Sequence, residues 1–224
     1  MADQWASIQA VAGKALSTKI AGQTEPGRYG LDRALRVVRC MERLAPACGE
    51  RVEKLELAKV AALYATVAQN AAGPGKVPDD EAYNDASELA ADQLKDLLGS
   101  GGEGGGADLD VVLLIMKEHR KRETTMPEAK VLADSLAMEE FGLIGLWNQT
   151  RQFHTSGKTL EQMLKLWKAQ HDYGYWESRL RDGFHYEVSR RAAKDRLGQL
   201  RGIYERLQRE NNGEDVGGNP LGHF

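Results

Sequence analysis

The chain has five histidines and two cysteines, and none of them falls at a spacing that makes a ready-made catalytic or metal motif. The sequence contains no HEXXH, no paired CxxC, no Walker loop and no GxSxG. His171-Asp172 is a literal His-Asp dipeptide inside LWKAQHDYGYW, adjacent by chance, and His154 and His185 have no companions at ligand spacing. GSGGEGGG at 99–106 holds a GxGxxG-like string. It lacks a preceding strand and a downstream ribose-binding context, so it reads as a flexible linker. Two isolated donors remain, His119 after the apolar run VVLLIM and Asp134 in VLADSLAMEE. The densest aromatic group is Trp167, Tyr173, Tyr175, Trp176, Phe184 and Tyr186, with Arg179, Arg181, Arg190 and Arg191 nearby. It reads as a stacking and phosphate surface, as a self-association face, or as anchors for long C-terminal helices.

The elements that must position these residues are helical. Trp5, Ile8, Val11/Ala12 and Ala15/Leu16 recur at three and four and predict a first helix. Leu31, Leu35, Val38, Met41 and Leu44 predict a second, closed by Pro46. Leu55, Ala58, Ala62/Leu63 and Val67 predict a third, rich in alanine and able to pack closely. A fourth runs through Tyr83, Ala86, Leu89 and Leu94 to about residue 98, capped by Asp79 or Asp80. VVLLIM continues at helical spacing to His119, which favours helix over strand. Thr125-Met126-Pro127-Glu128 starts another helix with proline in its first turn, running to about Glu140. Gly142 and Gly145 predict a tight packed turn in FGLIGLW. Two long helices follow, over about 157–172 and 183–210, and the tail 211–224 is expected to be disordered.

Composition sets the frame. At 224 residues and 42% hydrophobic, the chain can bury a substantial core without disulfide staples. Its formal charge of -3 excludes the global basicity of nucleic-acid binders. Residues 151–210 are locally basic, with 13 Lys/Arg against 8 Asp/Glu, which reads as a solvated helical face or a weak anion-facing surface. Cys40 and Cys48 cannot make a disulfide framework, so a reducing cytoplasm is the expected setting. The start MADQWAS shows no signal peptide, and no apolar run is long enough for a membrane span.

Four stretches, in order, resemble the HD-domain superfamily of metal-dependent phosphohydrolases. The first is Gly30-Leu31-Asp32-Arg33-Ala34-Leu35-Arg36-Val37, similar to a GLDHALRV-like helix, with arginine at the ligand histidine. The second is Ala61-Ala62-Leu63-Tyr64-Ala65-Thr66, similar to AALLHD, with the defining dyad replaced by Ala65-Thr66. The third, Ile115-Met116-Lys117-Glu118-His119, keeps the histidine of an I-x-x-H-like pattern. The fourth, 134–146, matches a DAD-x-L-x-x-x-G-x-x-G-I-like segment without a gap, with Asp134 on the final ligand and Leu136 at the second acidic position. The resemblance covers about residues 28–150. It implies an all-α HD-type bundle, here a single domain over 1–210 with a core at 28–150 and a C-terminal helical extension at 151–210.

It also implies a metal site at Arg33, Ala65, Thr66 and Asp134, and the chemistry of those residues argues against one. Ala65 offers no lone pair, Thr66 only a hydroxyl, and Arg33 a permanent positive charge where a dication should sit. At a few ångströms such repulsion costs several kcal/mol even at an effective dielectric of ~20. The expectation is therefore a degenerate, non-hydrolytic member without a metal cofactor, in which Arg33 takes the vacated place and pairs with Asp134. Against this stands an Arg33 pointing to solvent and a site packed by Tyr64 and alanines. His119, Arg33 and Asp134 are the candidate contacts for a small phosphorylated ligand. His119 reads equally as a locally satisfied helix-end residue, and Asp134 as a capping or ion-paired carboxylate. The partner is such a ligand or a protein, with self-association a further option. Two other readings are an active phosphohydrolase with a divalent metal, drawing on Asp32, Asp85, Glu118, His119 and Asp134, and a structural module built on the C-terminal helices.

Overall fold

The computed structural model describes residues 2–17, 28–71, 79–99 and 105–216. Every regular element among them is helical, so the chain is all-α as its periodicity predicts. The expected linker at 99–106 and the expected tail fall largely outside the described residues. Within them, Gly99 ends one helix, Gly105 begins the next, and turns run to residue 216.

The chain divides into two compact units, residues 1–136 with 185–188, and residues 137–184 with 189–224. The sequence places a single domain over 1–210, with its core ending near 150. The first unit contains α1 (Ala2–Leu16), α2 (Tyr29–Leu44), α3 (Leu55–Ala71), α4 (Asp80–Gly99), α5 (Gly105–Glu118) and most of α6 (Pro127–Ala137). Its centre is α3, which packs against α1, α2, α4 and α5. Residues 61–66 of α3 are fully buried. Alanine at 61, 62 and 65 lets four neighbours approach one helix, so the core forms by close packing rather than by large side chains. The approach of α1 to α2 is equally tight at Gly30, where a Cβ would collide with the Leu16 carbonyl oxygen and Asn70 Nδ2.

Local signals set the helix ends. The Asp79 carboxylate accepts from the Ala82 amide at 3.0 Å and caps α4. Pro127 opens α6, where its missing N–H costs nothing. Glu128 accepts from the Lys54 amide at 2.9 Å and ties that helix to the approach to α3.

In the second unit the sequence underestimates the number of elements. A 3-10 turn (Met138–Glu140) is followed by α7 (Gly142–Thr155), α8 (Leu160–Asp172), α9 (Tyr175–Asp182) and α10 (Glu187–Asn211), whose last part belongs to this unit. FGLIGLW is thus a turn and the first part of a helix. Gly142 supplies the turn with φ 73°. A Cβ on Gly145 would strike the Glu140 carbonyl oxygen, so the helix folds back on the turn only because this residue is glycine. Thr159 and Gln162 form a reciprocal capping box at the start of α8. Trp167 stacks on Tyr204 with centroids 4.0 Å apart, and Trp176 meets Trp167 and Phe141 edge-on or tilted. The aromatic group is largely core. Tyr173, 88% exposed, and Tyr175, 37% exposed, are the exceptions.

Candidate functional site

Arg33, Ala65, Thr66, His119 and Asp134 all lie in the first unit. Ala65 and Thr66 sit on the buried face of α3 with no exposed surface, and the Thr66 hydroxyl donates to the Ala62 carbonyl at 2.8 Å. That hydroxyl is spent on its own helix. One residue earlier, Tyr64 is buried and donates to Gln93 Oε1 at 3.0 Å, and burial pushes its phenol up to about 12.

Asp134 is fully buried on α6. Its two carboxylate oxygens accept the backbone amides of His185 at 2.7 Å and Tyr186 at 3.0 Å. The aspartate that the HD resemblance assigns to a metal clamps the backbone just before α10. The neighbouring contacts extend this clamp. Tyr186 donates to Glu50 Oε2 at 2.9 Å, and Lys130, four residues before Asp134, donates to the same carboxylate at 2.9 and 3.1 Å. The Lys130 ammonium and the Tyr186 hydroxyl hold Glu50 below the usual carboxylate range, against the opposing effect of partial burial. Sequence reasoning finds Asp134 but not this role, because its partners are 51 and 52 residues away and are main-chain atoms.

His119 ends the third stretch, one residue beyond α5, and only 7% of its surface is exposed. Its ring meets Tyr83 of α4 edge-on, with centroids 5.4 Å apart. Neither ring nitrogen makes a hydrogen bond of good geometry. Burial pushes its pKa down to about 4, although the Met116 and Ile115 carbonyls favour the protonated ring. At neutral pH the imidazole is therefore uncharged. Tyr83 is the centre of this group. Burial raises its phenol, while a hydrogen bond with Gln69 and the charges of Arg120 and Arg33 act in the opposite direction. The Arg120 guanidinium lies 4.3 Å from the Tyr83 ring centroid and pairs with Asp80. Gln69, on the last turn of α3, keeps its Oε1 buried with no hydrogen-bond partner among the described residues. His119 and Arg120 thus both meet Tyr83, a residue that the sequence offers only as a core position, and the charge of half-buried Arg33 acts on the same phenol.

These donors do not suit a divalent ion. Ala65 has nothing to give, the Thr66 hydroxyl is committed, both Asp134 oxygens hold amides, and Arg33 brings positive charge. No group of three His, Cys, Asp or Glu side chains able to hold a metal occurs among the described residues. Of the carboxylates in the hydrolytic alternative, Asp32 and Asp85 are exposed, and Glu118 is tied to Lys121 and Thr124. What the arrangement offers is a neutral imidazole and the Arg120 guanidinium against one phenol, with the Arg33 charge acting on it.

No protein-family model matches the chain, and no curated protein matches it. Among solved structures it is similar to Bacillus subtilis YpgQ, crystallised in complex with ADP, with a TM-score of 0.57 and 17% identity over 94% of this chain and 98% of YpgQ. Likeness at this identity shows a shared helical fold. No helix among the described residues is long and apolar enough to cross a membrane.

Two measurements probe this arrangement. Asp134→Ala strands two backbone donors and should destabilise the fold by about 2–5 kcal/mol in urea, with faster hydrogen exchange at His185 and Tyr186. A loss below about 1 kcal/mol would contradict the clamp. His119 has its pKa depressed in the folded state, so the unfolded chain takes up this proton first. The stability tied to it is whole above pH 6.5 and falls as the pH drops toward 4. His119→Asn should flatten that acid limb by on the order of 3 kcal/mol. An unchanged limb would mean that the ring is not buried. His185 shifts in the same direction and remains as the residual slope.

Proposed function

We propose that this protein is a degenerate HD-type domain that binds a small phosphorylated ligand, a nucleotide first among them, and does not hydrolyse it. The observation that carries the reading is the exchange of charge at the expected metal positions. A permanent guanidinium, Arg33, stands where a neutral imidazole ligand is expected, and the adjacent dyad is the fully buried Ala65-Thr66. A hydrolytic centre needs a cation that acidifies water. A guanidinium is a cation that binds a phosphate in two parallel hydrogen bonds and activates nothing. The site therefore keeps positive charge for a phosphate and lacks the means to generate hydroxide. The fold likeness to a protein crystallised with ADP supports the choice of ligand. Soluble, non-membrane behaviour in the cytoplasm belongs to the same proposal, supported by two cysteines that form no disulfide.

The test is calorimetric titration of the full chain with ADP, paired with a phosphate-release assay in added manganese. The reading predicts saturable binding, no release, and at least ten-fold weaker binding in Arg33→Leu. Release that disappears in Asp134→Asn while the variant remains folded would overturn it.

A further inference from the structure

We draw no further inference here: the strongest candidate, the surface patch that exposed Leu143 and Trp147 form one turn apart on α7 of the second unit, carries nothing, because nothing in the structure shows what covers it.

Discussion

The close packing of four helices around the alanine-rich face of α3 is the constraint on which the first unit depends. Residues 61–66 have no exposed surface, and three of the six are alanines. Ala65 and Thr66 are part of this packed core, with the Thr66 hydroxyl returned to its own helix. Polar groups lie at the helix ends, among them Gln69, Tyr83, His119 and Arg120.

Asp134 is a fully buried carboxylate on α6. A fully buried carboxylate is costly unless its lone pairs are filled. Here two main-chain amides fill them, and the carboxylate fixes the segment that leads into α10. Glu50, Lys130 and Tyr186 brace the same segment. Two arginines of the second unit are similarly structural. Arg179 forks onto Glu140 at 3.0 and 2.7 Å, and Arg190 donates to the Leu180 and Phe184 carbonyls. Positive charge at those two positions is committed to local structure, which turns attention to the arginines around Tyr83.

The sequence was most legible where a signal is local. Hydrophobic spacing located α1 to α4, Asp79 marked a cap and Pro127 a start. It was least legible where an element is short or where a glycine does two jobs. FGLIGLW looked like a turn because Gly142 and Gly145 break the pattern, yet one supplies a left-handed turn and the other lets a helix close on it. The eight residues of α9 are too few for periodicity to separate from a loop. At the site, residue types alone singled out Arg33, His119 and Asp134. Tyr83 escaped notice because a tyrosine at a core position carries no chemical signature until its neighbours are known. The amides held by Asp134 have no side-chain signature at all. Asp134 was expected as a side-chain partner of Arg33; that its carboxylate accepts two main-chain amides is something no residue type foretells.

The central claim is that a fixed cation of the chain, rather than a bound metal, holds the phosphate. Its most direct test is the dissociation constant of ADP in excess chelator and again in excess manganese, with bound metal measured on the same samples. The account predicts equal affinity in both and no stoichiometric metal. Binding that vanishes in chelator and returns with one manganese per chain would contradict it.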